Sequence, residues 1–390
     1  MAEPAPGMTP ATDTAIVTVR PLEGRRQREA FIRLPGRLMA GDPNWVEPLW
    51  LERRRFLSPR HNAFFGHAEA AFWLAWRGGR PVGRISAQID RLAPPVDGMR
   101  LGYFGMLAAE PDAGTLGALF GAAEDWLAAR GAGVVRGPFD LSINQTTGLL
   151  VDGFDTPPSL MMGHDPPWLG AEVERQGYAR AKDLVAYRMD VRGGLPDKLR
   201  RLAERGAPGL TIRSIDMRRY RAEVATITDI FNDAWAGNWG FTPLTEAESA
   251  AMADEMKPIL DPDLIRIAEI QGEPAGFIVL LPNVNEAIAD LGGRLLPLGW
   301  LKLLWRIKAG RIRTARVPLM GVRKAHARTM LGKTLPLKLI YALESRGVGR
   351  GLGELELGWL LEDNWPVRHV VEGVGGWLAK TYRVYEKRLG

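Results

Sequence analysis

"SRGVGRGLGELELGWLLEDNWP", Ser345 to Pro366, decides how this chain folds. Its glycines, Gly347, Gly349, Gly351 and Gly353, look at first like a phosphate-cradling loop. The dinucleotide fingerprint needs G-x-G-x-x-G after a strand and before a helix. Here the spacing is G-x-G-x-G-x-G, and the order is reversed. The residues before it place Leu335, Leu339, Ile340 and Leu343 at helical spacing, which predicts a helix over 334–346. The residues after it, "ELELGWLL", alternate and then run apolar, which predicts a buried strand over 354–361. Glycine past a helix end adopts left-handed angles without a Cβ penalty, so these glycines read as a helix stop. Attention moves to Glu356, Asn364 and the strand between them.

Outward from that stretch, two runs of elements have the same order. The first begins with a strand at 15–22 and a basic amphipathic helix at 24–40. A hairpin at 70–90, a strand at 100–109, a helix at 115–133, a strand at 134–140, a short helix at 166–178 and a strand at 184–191 complete it. The second has a strand at 210–215 and helices at 218–237 and 245–260, the latter opened by the capping box Thr245–Glu248. A hairpin at 264–282 turns at Gln271-Gly272, followed by a strand at 316–323, the helix and strand already described, a helix from Pro366 and a strand at 381–389. The repeat predicts two tandem units, 15–191 and 210–390, joined by a charged linker at 192–209. The Pro/Ala/Thr-rich residues 1–14 read as a disordered tail.

Composition bounds the chemistry. The chain of 390 residues is 46% hydrophobic, enough for proper cores. Lys+Arg 51 against Asp+Glu 45 leaves a mild +6, spread along the chain, which argues against a nucleic-acid partner. There is no cysteine, which excludes disulfides and thiolate nucleophiles. The five histidines show no paired metal spacing, so no metal is expected. No apolar run is long enough to span a bilayer, and a cytoplasmic protein is expected.

The element order resembles the acyl-CoA N-acyltransferase fold of the GNAT superfamily, most clearly at "VPLMGVRKAHARTMLGKTLPLKLIYALESRG" and "ELELGWLLEDNWPVRHVVEGVGG". The segments "GPFDLSINQTTGLLVDGFDTPPSLMMGHDPPW" and "FNDAWAGNWGFTPLTEAE" are similar to the tandem, ceramide-synthase-like acyltransferases of bacteria. The resemblance implies an α+β fold, a mixed and largely antiparallel sheet flanked by helices, in two GNAT-like domains. It implies an N-acyltransferase moving a long acyl chain from acyl-CoA or acyl-carrier protein, as co-substrate and not as a bound cofactor, to a lipid or sphingoid-base amine. In that family the fourth strand and the loop after it hold the donor. Here that places Val322, Arg323, Arg328, Thr329 and Gly332 at the donor, with Asn364 matching the asparagine before the last helix. Of the family's glycine-rich loop only Gly332 matches, and its tyrosine acid is replaced by Val371. Tyr382 or Tyr385 could take that role.

Acyl transfer from a thioester needs a base for the amine, donors for the oxyanion and an acid for the thiolate. Glu356 is the first candidate for base, against a solvated strand residue or a partner for Arg350. His164, in "MMGHDPPW", is the second, against a turn histidine bonded to backbone. Asn144, Asn238 and Trp239 are candidate substrate contacts, against loop caps and an aromatic core with Trp235 and Phe241. Residues 292–316 read as an insertion, a helix from about Leu298 with Lys302, Arg306 and Arg313 in one sector. Basic residues beside Trp and Leu predict that 293–313 docks on an anionic membrane, giving a peripheral protein on the inner face. Two other readings stay open: an aminoacyl-tRNA-dependent transferase, and an inactive binding protein.

Overall fold

The structure, a computed structural model, describes residues 16–349 and 351–390. The expected tail and Arg350 lie outside the described residues. The first half comprises β1 (Thr18–Pro21), α1 (Gly24–Leu38), α2 (Trp50–Phe56), β2 (Ala68–Arg77), β3 (Arg80–Asp90), β4 (Arg100–Ala109), α3 (Ala113–Ala128), β5 (Ala132–Gly137), β6 (Leu149–Asp152), α4 (Leu169–Arg175) and β7 (Ala179–Asp190). After α5 (Asp197–Glu204) the second half comprises β8 (Leu210–Ser214), α6 (Tyr220–Trp235), α7 (Glu246–Met256), β9 (Ile265–Ile270), β10 (Glu273–Pro282), α8 (Val284–Ile288) and α9 (Gly299–Lys308). It ends with β11 (Thr314–Val322), α10 (Lys324–Ala327), α11 (Met330–Gly349), β12 (Glu354–Leu361), α12 (Trp365–Gly373) and β13 (Trp377–Arg388).

The strands form one mixed sheet in the order β1-β2-β3-β4-β5-β13-β7-β12-β11-β10-β9-β8, with β6 paired to β13. Among the described residues only β4·β5 and β11·β12 pair in parallel. The last strand of each half sits beside the other half. β7 pairs with β12, and β13 pairs with β5 and β7. The expected α+β class, largely antiparallel and flanked by helices, is the observed one.

Each half buries both faces of its sheet. α3 packs a core of Leu116, Leu119, Phe120 and Leu127 on one face of β2–β5, and α1 packs Phe31, Ile32 and Leu34 on the other. In the second half α11 places Leu335, Leu339, Ile340 and Leu343 on one face, while α6 lays Ile230 and Phe231 on the other. Those four α11 positions are the helical stripe read from sequence. The capping box at α7 is present, with Thr245 Oγ1 accepting from the Glu248 amide and Glu248 accepting from the Thr245 amide.

Five elements escaped the sequence reading: α2, β6, α8, α10, and α5 within the linker. α5 is held by its neighbours, since Leu199 and Leu202 pack on the core under α11 and Lys338 Nζ donates to Ala203 O at 2.9 Å. β7 starts at Ala179 and not at 184, because its first turn-side residues are charged. Those charges pair across strands, with Arg383 Nε donating to Asp183 Oδ1 at 2.8 Å. The donor segment 327–332, expected as a loop, is the junction of α10 and α11. In the insertion, α9 stops at Lys308, so Arg313 does not share its sector.

β13 contributes Tyr382, Val384 and Tyr385, all fully buried. Fully burying a large apolar side chain is worth roughly 1.5–3 kcal/mol, against roughly 5–15 kcal/mol for a whole domain. Truncation before Trp377 is therefore expected to abolish soluble folding of both halves. A truncated chain that melts like the full one would contradict the exchange of strands.

Candidate active site

Parallel pairing leaves a fork in each half, where two neighbouring strands part. β11 and β12 pair over Thr314–Val317 and Glu354–Leu357. Beyond that, β11 stays with β10 as far as Val322 and β12 stays with β7, so the fork is open. The corresponding fork between β4 and β5 is bridged by the chain itself. Phe139 N donates to Phe104 O at 2.9 Å, and Gln88 Nε2 donates to Phe139 O at 2.8 Å. A Cβ on Gly105 would lie 1.7 Å from Phe139 O, so only glycine allows this crossing.

The helices after the forks differ in the same sense. At the start of α3 the Asp112 carboxylate accepts from Thr115 N at 2.8 Å and pairs with Arg77 at 2.6 Å. The Thr115 hydroxyl and Arg77 hold its carboxyl below the usual range. The chain's own carboxylate thus occupies the position where a helix N-terminus attracts anions. At the start of α11 the neutral Thr329 hydroxyl accepts from Gly332 N at 3.0 Å. Arg328 and Lys333 stand exposed beside it. A Cβ on Gly332 would meet His326 O at 1.9 Å, so glycine here lets α10 fold back onto α11. Arg323 is engaged, donating to Pro274 O at 2.7 Å and pairing with Asp229 at 2.5 Å. Val322, Arg323, Arg328, Thr329 and Gly332 therefore gather at the open end of the second fork. Asn364, with no side-chain cap bond, stands before α12 at the same end. Val371 is buried in the core.

Along β12, Leu355 and Leu357 enter the core under α11, so Glu356 turns to the opposite face. It is 2% exposed and neither carboxylate oxygen has a hydrogen-bond partner. Arg316, its register partner on β11, stands 3.9 Å away. The Arg316 guanidinium is itself spent on Gly358 O at 2.9 Å and Leu160 O at 2.7 Å. The Tyr382 hydroxyl, also buried, has no partner either. Burial, and then the charge of Glu356, push its pKa well above the usual phenol value. Lys380 completes the group, its ammonium donating to Gly153 O and to Thr156 O at 2.8 Å. Burial, and then Arg188, bring it down to about 8. Tyr385 points away, into the core under α3 and α4. Unsatisfied buried acceptors are costly, and a carboxylate left so is a place for a donor such as an amine or a water.

Two cavities lie nearby, and the smaller reaches this group through Arg316. The smaller, about 170 Å³, is lined almost wholly by apolar side chains of α6, α7 and β9–β11. Asn144, Asn238, Trp239 and Arg316 all line it, so the expected substrate contacts do come together. Asn144 Nδ2 donates to Thr242 O at 3.2 Å, and Trp239 lies under the Arg136 guanidinium at 4.7 Å. The larger cavity, about 970 Å³, lies against the first half and is lined by His164, Asp165, Asp140, Arg53 and Arg84. His164 Nε2 donates to Asp42 Oδ2 at 2.9 Å. Burial works against the Asp42 charge, but the Asn44 amide and His164 hold its carboxyl below the usual range. A carboxylate only accepts, so a proton sits on Nε2, and the buried Nδ1 has no hydrogen-bond partner. Burial pushes Asp165 up to about 7 and Arg84 down to about 10.

Sequence reading missed Asp42, Arg316, Lys380 and Arg84. The "GDPN" turn at 41–44 was the one local signal for Asp42, whose Oδ1 accepts from Asn44 N. The three side chains named from sequence as catalytic, Glu356, His164 and Tyr382, all carry an unpartnered buried polar atom. Glu356 and Tyr382 share one group, while His164 belongs to the larger cavity. Among the described residues no cluster of His, Asp and Glu is arranged to hold a metal.

Comparison with known proteins gives a consistent frame. No family model matches the chain. It is 52% identical over 377 residues to the bacterial ceramide synthase of Caulobacter vibrioides, covering 96% of this chain and 98% of that protein. It is 45% identical over 373 residues to protein YghO of Escherichia coli, covering 95% of each. Among solved structures, a tandem GNAT protein from the clavulanic acid biosynthesis pathway aligns with a TM-score of 0.57 at 15% identity, over 96% of this chain and 99% of that one. A GCN5-related N-acetyltransferase from Sphaerobacter thermophilus aligns at 0.52 and 14%, over 96% of each. The fold is that of a tandem GNAT protein.

The raised carboxyl of Asp165 gives a test by pH. Folded Asp165 keeps a proton that the unfolded chain releases between the ordinary carboxyl range and about 7. Stability therefore falls as pH rises through that window. Asp165→Asn retains an acceptor for the Leu150 amide, which donates at 3.0 Å, and removes the titration. Its Tm is expected to fall less than that of the wild type between pH 5 and pH 8. An equal or larger fall would contradict the burial of this carboxyl.

Proposed function

The chain belongs to the family of the bacterial ceramide synthase, and from that premise we propose that it transfers a long acyl chain from acyl-CoA to the amine of a lipid acceptor, with the reaction in its second half. The observation that carries this reading is the apolar cavity at the open β11–β12 fork, lined by Arg316, which stands 3.9 Å from the buried Glu356 carboxylate, itself without a hydrogen bond. In this reading residues 15–191 and 210–390 are the two units, and 192–209 joins them. The junction of α10 and α11 takes the donor's phosphates, with Arg328, Lys333 and the Thr329 cap at hand. That charge suits the nucleotide of acyl-CoA better than a carrier protein.

The acyl chain lies among Trp235, Trp239 and Phe241, with Asn144 and Asn238 near its carbonyl end. The acceptor nitrogen gives a proton to Glu356 and attacks the thioester carbon. The carbon–sulfur bond breaks, and the thiolate takes a proton from Tyr382, whose raised pKa keeps it protonated until then. No covalent enzyme intermediate is needed, as suits a chain without cysteine. His164, fixed by Asp42, holds the acceptor's polar end in the larger cavity.

The insertion supports a membrane-borne acceptor, by a geometry opposite to the one expected. Lys302 and Arg306 are both paired with Asp290, with Arg306 Nη1 at 2.6 Å. The outward face is apolar: Leu298 is 67% exposed, Trp300 47% and Trp305 52%. Leu303 and Leu295 face the other way and line the larger cavity. Exposed Trp and Leu beside Lys308 and Arg311 fit a segment lying at a bilayer surface. Among the described residues no helix is long and apolar enough to cross a membrane.

Three outcomes are expected. Wild type releases free thiol from palmitoyl-CoA only when a long-chain amine is present; release without amine dependence would contradict N-acyl transfer. Glu356→Gln lowers kcat by roughly 10²–10⁴ with donor Kd unchanged; a rate within a few-fold of wild type would remove Glu356 as base. Wild type sediments with anionic liposomes at low salt, and Trp300→Ser with Trp305→Ser does not. Wild type remaining in the supernatant would rule out docking through α9.

A further inference from the structure

The lining of the smaller cavity includes Tyr220, Val224, Ile227, Phe231 and Trp235. They follow one another at spacings of three and four along α6, one stripe from its first residue to its last. At the helical rise per residue, that stripe runs for about 22 Å. Its ends lie in different places. Trp235 Nε1 donates to Met320 O at 3.2 Å, on β11 beside the open fork. Tyr220 stands soon after β8, the strand at the sheet's far edge, in one buried cluster with Ile215 and Ile265.

α7 lies along the stripe and is tied to α6 at both ends. Asn232 Nδ2 donates to Leu244 O at 3.0 Å, towards the fork. Tyr220 Oη donates to Ala253 O at 2.8 Å, at the far end. That second bond pins the Tyr220 ring, and the Lys257 ammonium stands 5.5 Å from the ring's centre. Glu223, one turn further along α6, also lines the cavity and is paired with Arg213 at 3.0 Å. The far end is therefore a fixed aromatic ring beside an ion pair. Alkyl chain gains nothing there, since it cannot solvate the charges it would cover. Between that end and the fork the stripe is apolar.

The function proposed above puts the thioester at the fork and its alkyl chain in this cavity, and the present inference rests on it. We propose that Tyr220 is the end stop of the acyl channel and sets the longest chain that is transferred. An extended palmitoyl tail is about as long as the stripe. A longer one has to push the ring off Ala253.

The test measures kcat/KM for octanoyl-, palmitoyl- and arachidoyl-CoA in the full chain, with two long-chain bases of different length as acceptors. Wild type is compared with Tyr220→Ala, which removes the stop, and Ile227→Trp, which puts bulk halfway along the channel. Thermal melts establish that the variants are folded. Wild type is expected to prefer palmitoyl- to arachidoyl-CoA by about 10-fold or more, the usual value of a methylene that a pocket has no room for. Tyr220→Ala is expected to raise arachidoyl-CoA use by about 10-fold, and Ile227→Trp to lower palmitoyl-CoA use by about 10-fold while octanoyl-CoA stays within a few-fold. Should Tyr220→Ala not fold, the Ile227→Trp profile decides. Length profiles unchanged from wild type in folded, active variants would overturn the end stop and leave the transfer reaction standing. So would variants that change the preference between the two bases and not among the thioesters, since the cavity would then hold the acceptor's tail. Wild type that acylates neither base would overturn the function proposed above, and the end stop with it.

Discussion

The pairing of β7 with β13 is the constraint on which the rest depends. They join antiparallel from Trp377↔Arg188 to Glu386↔Ala179, and each also pairs with a strand of the opposite half. Neither half closes its sheet with its own strands. The joint is therefore a continuous, buried stretch of sheet and not a surface contact between two finished domains. Whatever chemistry sits on it is shielded from water on both faces.

That joint also explains why so much charge is buried. Glu356, Arg316, Lys380 and Asp183 are all buried at or beside it. The segment from Gly153 to Leu160 crosses over them and spends its carbonyls on them: Gly153 and Thr156 accept from Lys380, Pro157 from Arg188 and Leu160 from Arg316. Asn44 and Asn285 bind the same segment at Phe154 and Pro158. Carbonyl dipoles solvate the cations well, since a buried donor left unmet is expensive. They do nothing for Glu356, because a carboxylate needs donors. The same packing that satisfies Arg316 and Lys380 leaves Glu356 and Tyr382 without hydrogen-bond partners.

Much of this was legible locally. The strands at 100–109 and 354–361 fall where the apolar runs place them, and the α7 capping box and the Gln271-Gly272 turn follow from short-range hydrogen bonding and positive φ. Glu356 was legible because alternation in "ELELGWLL" sets it apart from its leucine neighbours. Three features were not. The exchange of β7 and β13 joins residues that no local pattern connects. Asp42 and His164 are 122 positions apart, and a turn aspartate by itself carries no sign of a distant imidazole. The basic face of α9 reads as unpaired until Asp290 is known to pair with Lys302 and Arg306.

The two halves repeat a fold but not a site. The first fork is crossed by Phe139 and its helix start is occupied by Asp112. The second fork is open, its helix start is neutral and flanked by Arg328 and Lys333, and a greasy cavity lies behind it. The central claim is that one donor binds, and that it binds there. A crystal structure of the complex with a non-hydrolysable thioether analogue of palmitoyl-CoA tests it most directly. The account predicts pantetheine between β11 and β12, phosphates at the α10–α11 junction and the alkyl chain among Trp235, Trp239 and Phe241. Analogue bound between β4 and β5, or at the start of α3, would contradict it.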